Sequence, residues 1–200
     1  QRVTRMLLTA EQIVLKRILD IAVAVTALII LSPVILITAV MIKLDSKGPV
    51  LYSQERVGLY GKTFFVHKFR SMKQDAEAKC GPVLAAEGDP RITKFGRFMR
   101  ATRLDELPQL FNVLAGEMSL VGPRPLLKSE IQQYYADSAD VLLSVKPGVT
   151  GYWQAYARNN ATYQSGHRQQ MEMTYIRQAS IWLDCKILMK TVVAVLRRDG

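Results

Sequence analysis

The sequence predicts a mainly α fold with a small β-hairpin. A re-entrant membrane helix and amphipathic interfacial helices would pack on a compact domain. Three observations predict it. Residues 21–42 carry no charge across 22 positions. Two short alternating stretches flank Gly58-Leu-Tyr-Gly61. Apolar residues recur at helical spacing from 91 to 114 and again near the C-terminus, interleaved with lysine and arginine. Two hundred residues suffice for one core plus a membrane element. The change of character at Gly48 divides the chain into 1–47 and 48–200.

Residues 1–17 read as a polar, basic lead-in ending in Lys16-Arg17. Of the 22 uncharged residues that follow, thirteen are Leu, Ile or Val. At about −0.3 to −0.6 kcal/mol each, these favour insertion by roughly −4 to −8 kcal/mol. A secretory signal is a poor fit, because the segment is too long and lacks a small-residue cleavage pattern. A straight helix of this length would reach about 33 Å, enough to cross a bilayer. Ser32-Pro33 falls at its middle, where proline removes a helical bond and clashes with the preceding turn. With Lys16 and Arg17 on one flank and Lys43 and Lys47 on the other, no charge asymmetry orients a span. The residues favour a helix broken at Ser32-Pro33 that turns back; a kinked spanning helix is the alternative.

From Gly48, Val50–Val57 and Thr63–Phe69 read as two strands of a hairpin. Residues 73–90, polar and bearing Gly and Pro, are a helix fragment and a loop. Arg91–Arg103 is an amphipathic basic helix, a form that lies on anionic lipid at about 1 kcal/mol per basic residue. Leu104, Leu107, Leu110, Phe111 and Leu114 form the stripe of the next helix. Pro108 belongs in its first turn, so Asp105 and Glu106 sit at the positive end of its dipole. Leu126–Leu143 reads as a helix, 146–151 as a turn, and Ser180 as the cap of a last helix. That helix carries Trp182 among lysines and arginines, as an interfacial helix does. Asn160-Ala-Thr162 matches a glycosylation acceptor by chance.

Chemistry is carried by few residues. The net charge of +10 calls for an anionic partner. Cys80 and Cys185 have no partners at metal-ligand spacing, and neither do His67 and His167. No glycine cradle for a nucleotide and no acyl-transfer motif appears. What remains is the Asp105-Glu106 pair, with Arg100 and Arg103 upstream and Arg124 held between Pro123 and Pro125. Two acids, a helix start and fork-shaped guanidiniums are what a site for a phosphoanhydride and a divalent cation needs.

The run Leu104-Asp-Glu-Leu-Pro-Gln-Leu-Phe-Asn-Val-Leu114, followed by Gly116–Pro125 with its Pro-Arg-Pro, closely resembles the bacterial sugar transferases. These are the monotopic phosphoglycosyl transferases, and the resemblance extends from Lys16-Arg-Ile-Leu-Asp20 to Gly200. It implies transfer of a sugar-1-phosphate from a UDP-sugar to a polyprenol phosphate such as undecaprenyl phosphate, with Mg2+ and release of UMP. This would be the first membrane step of a surface glycan. It implies Asp105 as nucleophile and Glu106 as metal ligand with an acid/base role, both near the metal. Arg100 and Arg124 would bind phosphate, and Lys68 and Arg70, from the matching Lys68-Phe-Arg-Ser-Met72, would add anion contacts. Gln154 and Arg158 fall on a substrate-binding segment. The family's membrane helix is broken at a Ser-Pro and returns to the cytoplasmic face of the inner membrane, where the catalytic domain lies. Two departures, His67 for a tyrosine and Gln154-Ala-Tyr-Ala-Arg158 for Gln-Val-x-Gly-Arg, leave sugar specificity unassigned. Anionic membrane lipid is an expected partner, nucleic acid is not, and a homo-oligomer is left open. The rival reading is a basic membrane-surface module that binds anionic lipid or nucleic acid without catalysis.

Overall fold

The computed structural model describes residues 9–74, 76, 89–157 and 162–197. Cys80, Arg158, Asn160 and most of the stretch 73–90 lie outside the described residues. The first element is helix α1, Ala10–Asp45, which starts well inside the segment expected as a lead-in. Thr9 and Gln12 explain the start, because they form a reciprocal capping box.

Ser32-Pro33 does not divide this helix in two, contrary to the expected break. One helix of 36 residues runs through Pro33. The physical reason lies one residue earlier. Proline's absent N–H would have bonded the Ile29 carbonyl, and the Ser32 hydroxyl donates to that same carbonyl at 2.8 Å. The orphaned acceptor is therefore satisfied from within the segment.

One stripe of α1 is packed along most of its length. Asp20, Ala24, Thr38 and Ile42 are buried, whereas Ile29, Ile30, Leu36 and Ile37 on other faces are 63–69% exposed. Both ends are fastened to the rest of the chain. Near the start, Arg17 donates to the carbonyls of Val113 and Leu114, and Asp20 accepts the Leu120 N–H at 3.0 Å. Near the end, Lys43 donates to Gly48 O and Asp45 accepts the Phe95 N–H.

The expected hairpin is present. Strands β1, Leu51–Val57, and β2, Thr63–Phe69, pair antiparallel with Tyr52 opposite Lys68 and Arg56 opposite Phe64. Helix α2 spans Lys94–Thr102, shorter than the expected 91–103, because Thr93 caps it and Arg91 folds back onto Asp89. Helix α3, Gln109–Ala115, ends at Gly116 with φ 85°, a left-handed conformation that favours glycine.

Strand β3, Ser119–Val121, follows. The helix expected over 126–143 is two pieces, α4, Lys128–Tyr134, and α5, Ala139–Leu142, separated by a 3-10 turn. Tyr135 leaves the helical region between them to bury its ring edge-on against Tyr163. The stretch expected as a turn holds strand β4, Gly148–Thr150, parallel to β3. The two strands approach so closely that a Cβ on Gly148 would lie 2.1 Å from the Gly122 nitrogen. Helices α6, Tyr152–Tyr156, α7, His167–Gln178, and α8, Ile181–Arg197, complete the described chain. Ser180 accepts the Leu183 N–H, as expected of its cap.

Two apolar clusters hold these elements. The larger joins Val66, Val113, Met118, Leu120, Ile176 and Ile187 with Ala24 of α1. The smaller sets Ile42 of α1 against Phe69 and Met99, flanked by Leu104 and Leu107. Each fully buried aliphatic side chain contributes on the order of 2 kcal/mol, so α1 is bound to both clusters.

The Ser32 bond predicts a non-additive pair. Ser32→Ala alone leaves the Ile29 carbonyl bare and costs about 1–3 kcal/mol of stability. In a Pro33→Ala background, where an N–H at 33 serves that carbonyl, the same change costs little. Unfolding in detergent of the two singles and the double measures this coupling; equal costs in both backgrounds would refute it.

Candidate active site

The acidic pair is placed by an unusual backbone step. Helix α2 stops at Thr102, and Arg103 adopts φ 57°, ψ 17°, a left-handed conformation that non-glycine residues rarely take. The chain then makes a 3-10 turn, Leu104–Glu106, before Pro108 caps α3. Asp105 and Glu106 therefore sit on a turn of their own and not in the first turn of α3, as expected. Pro108 explains the offset, since its missing N–H suits the boundary of α3 and not its interior.

The position of α3 follows from Asn112, which is 1% exposed. Its Oδ1 accepts the His67 N–H at 3.1 Å, and its Nδ2 donates to Phe65 O at 2.7 Å and to Glu117 Oε2. The amide thus pairs with the free edge of β2 as another strand would. This docking brings Lys68, one residue further along β2, to Glu106. Lys68 Nζ donates to Glu106 Oε1 at 3.1 Å.

Glu106 lines a cleft of about 260 Å3, counting the part open to solvent, together with Arg56, Lys68, Gln109, Arg124 and Gln154. Burial alone would raise the Glu106 pKa. The positive charges of Lys68, Arg124 and Arg103 outweigh it and bring the carboxyl down to about 2. A fixed ammonium, without any metal, thus keeps Glu106 ionised.

Of the residues the sequence points to, Lys68, Glu106, Arg124 and Gln154 meet in this cleft. Asp105 shares the turn with Glu106 but is 8% exposed and does not line the cleft. Arg100 lies outside the lining and donates to Ser71 Oγ at 2.9 Å. Arg70 is buried and donates to the carbonyls of Ser46 and Lys47, where α1 gives way to the hairpin.

Two contributors, Arg56 and Gln109, stand outside the sequence-based set. Arg56 lines the cleft, bonded to Glu130 at 2.9 Å and to Gln54; burial and the neighbouring Arg124 lower its pKa. Strand alternation carries its signal, because it shares a face with Tyr52, which is paired with Lys68. Gln109 also lines the cleft. Arg103 donates to Gln154 O at 3.1 Å, tying the acidic turn to α6.

This arrangement of acid, lysine and arginines lies within a sequence match. Residues 11–198 match the family described as bacterial sugar transferase. The chain belongs to that family. It is 43% identical to the undecaprenyl-phosphate galactose phosphotransferase of Salmonella typhimurium, over 93% of this chain and 41% of that protein. It is 44% identical to the UDP-glucose:undecaprenyl-phosphate glucose-1-phosphate transferase of Klebsiella pneumoniae, over 92% and 41%. A third relative, the UDP-N-acetylgalactosamine-undecaprenyl-phosphate N-acetylgalactosaminephosphotransferase of Aeromonas hydrophila, is 41% identical over 93% and 44%. The chain spans about two-fifths of the length of these relatives. Their names carry three different sugars at nearly equal identity, so overall similarity does not select the sugar.

The Lys68 contact predicts an acid limb in stability. Glu106 titrates below its unfolded value, so its contribution is complete above about pH 4.5 and is lost as pH falls through about 2. Lys68→Met should remove about 1–3 kcal/mol at pH 7 and flatten the decline between pH 4.5 and 2. Denaturant midpoints measured from pH 2 to 7 on both proteins test it; parallel curves would contradict the assigned pairing.

Proposed function

We propose that this protein transfers a sugar-1-phosphate from a UDP-sugar to undecaprenyl phosphate, releasing UMP, at the cytoplasmic face of the bacterial inner membrane. The observation that carries the reading is the cleft in which Glu106 stands among Lys68, Arg124 and Arg56. Guanidiniums bind phosphate oxygens in pairs, and an ionised acid among them is arranged for a metal-phosphate substrate more than for a neutral one. The relatives' names supply the substrate classes.

The reaction proceeds in two displacements. A carboxylate oxygen of Asp105 attacks the sugar-bearing phosphorus of the UDP-sugar, a bond to Asp105 forms, and the bridge to the uridine-bearing phosphorus breaks with UMP as leaving group. The phosphate oxygen of the polyprenol then attacks the same phosphorus, and the bond to Asp105 breaks. Splitting the transfer lets two anionic substrates meet the enzyme in turn. Asp105 needs no separate base because a carboxylate is ionised at neutral pH. Its burial means that substrate binding has to open this turn toward the cleft.

Mg2+ fits the donor set. Among the described residues no group of three or more His, Cys, Asp or Glu offers an all-protein site. Glu106 is the carboxylate at the cleft and Asp105 would add a second once its turn opens, and Mg2+ commonly takes one or two plus substrate phosphates. Bound there, it would neutralise charge on the diphosphate. Glu106, held ionised beside Lys68, would serve as metal ligand or as proton acceptor.

The membrane placement has separate support. Both ends of α1 are bonded to the body built from residue 48 onward, through Arg17 and Asp20 at one end and Lys43 and Asp45 at the other. A spanning helix would carry one end across about 30 Å of hydrocarbon. Exposed apolar side chains on α1, with Trp182, Met189 and Val192 on α8, suit shallow seating in one leaflet. The rival of a basic binding surface loses support from the same bonds. Lys16, Arg17, Arg56, Lys68, Arg70 and Arg91 are engaged internally instead of being displayed together.

Mixing the protein with UDP-sugars and Mg2+ but no lipid acceptor should release UMP up to about one equivalent per site, with the sugar-phosphate label on the protein. Asp105→Asn abolishes both signals. UMP that appears only with acceptor present, and no adduct on Asp105, would favour direct transfer. Tags at the two termini, probed from the periplasm, should both be protected; a reactive N-terminal tag would establish a span.

A further inference from the structure

Arg124 is flanked by Pro123 and Pro125, neither of which has an N–H. Its own N–H is therefore the one main-chain donor in the three residues, and Glu172 Oε1 accepts it at 3.2 Å. Glu172 is buried on α7, 3% exposed. One turn earlier on that helix, the Arg168 guanidinium lies between the rings of Trp153 and Tyr163, 3.9 and 4.0 Å from their centroids. Tyr163 stacks on Tyr134 with centroids 4.3 Å apart and meets Tyr135 edge-on. Trp153 belongs to α6 and is followed by Gln154, which lines the cleft. The group thus joins α6 and α7 to the segment that presents Arg124.

A buried carboxylate is an expensive way to satisfy one N–H, since an amide would accept the bond without the desolvation of a charge. Burial raises the Glu172 pKa to about 7, against the pull of the Arg124 N–H and the Arg168 charge. Tyr135, Tyr163 and Tyr175 also face it. None of these groups lines the cleft, so an effect on ligand passes through a neighbour that does: Arg124, which the Glu172 bond holds directly, or Gln154 beside Trp153.

We propose that Glu172 is a positioning residue: it fixes the backbone at Arg124 so that the guanidinium is presented to the diphosphate of the substrate, and ring-clamped Arg168 holds Glu172 in place. The inference rests on the reading of Arg124 as a diphosphate contact. Two proline rings limit the segment's own freedom, main-chain bonds hold Pro123 O to Gly148 N–H and Leu126 O to Val57 N–H on either side, and the Glu172 bond acts at Arg124 itself. A guanidinium displaced by even an ångström loses its bidentate geometry.

UDP is the probe, because its diphosphate is common to every candidate donor. Its affinity is measured by calorimetry on the full chain in lipid nanodiscs with Mg2+. Glu172→Met keeps the volume and removes the acceptor, and should weaken UDP about tenfold. Glu172→Gln keeps an acceptor and should stay within about threefold of the parent. In an Arg124→Ala background, Glu172→Met should add less than about twofold, because its route to the ligand is gone. A full tenfold loss in both backgrounds, or none in the parent, overturns the positioning role. Should Glu172→Met fail to fold, Arg168→Lys takes its place; it loosens the ring clamp with the charge kept and should cost about threefold, again only where Arg124 is present. No loss on Arg168→Lys overturns the proposal. If Arg124→Ala itself leaves UDP affinity unchanged, it is the diphosphate role of Arg124 that falls.

Discussion

The cleft depends on where α3 lies against the hairpin, and one side-chain amide determines that. Asn112 offers an acceptor to His67 N–H and a donor to Phe65 O, the two groups that a further strand would have engaged. Edge groups of a two-stranded sheet need partners when buried, and a helix has no free main-chain groups at mid-length to supply them. An asparagine on the helix resolves this conflict. It also fixes the translation of α3 along β2, so that Lys68 falls opposite Glu106 instead of a residue away. The charge pairing at the cleft is thus a consequence of packing register.

A second constraint holds the opposite wall. The three-residue ladder of β3 and β4 is too short to be stable alone, yet it carries Pro123 and Arg124 at its end. Its stability comes from outside. Asp20 accepts the Leu120 N–H, Lys16 donates to Val121 O and to Asp184, and the single Tyr175 O–H lies within bonding distance of both Asp184 Oδ1 at 2.8 Å and Val121 O at 3.1 Å. The burial of Asp184 raises its pKa despite the adjacent Lys16, so this network is held by its mutual bonds as much as by charge. Polar residues of α1, α7 and α8 meet on one short strand.

Much of this is legible in the sequence, and the exceptions have physical causes. The hairpin is visible because alternation and its turn glycines are local signals. The apolar helix is visible because a soluble core rarely buries so long a segment without one charge. The acidic pair and Arg124 stand out through their motifs. The β3–β4 pairing is not visible, since its partners lie 29 positions apart and each strand has only three residues. Arg70 looks like an anion contact from its neighbours in sequence, but the turn after α1 has carbonyls that need a buried donor. The end of α2 escapes the pattern because propensity does not forecast an arginine in the left-handed region. At Ser32-Pro33 the proline alone suggests a break, whereas the serine hydroxyl compensates for the loss.

The bonds of Lys16, Arg17 and Asp20 have a bearing on how the chain is divided. A version trimmed to begin at Gly48 would leave the Leu120 N–H, the closing carbonyls of α3 and the carboxylate of Asp184 without partners they now have, and would open both apolar clusters at Ala24 and Ile42. The apolar helix is therefore an internal beam of the fold, and detaching it to gain solubility would dismantle the wall that carries Arg124.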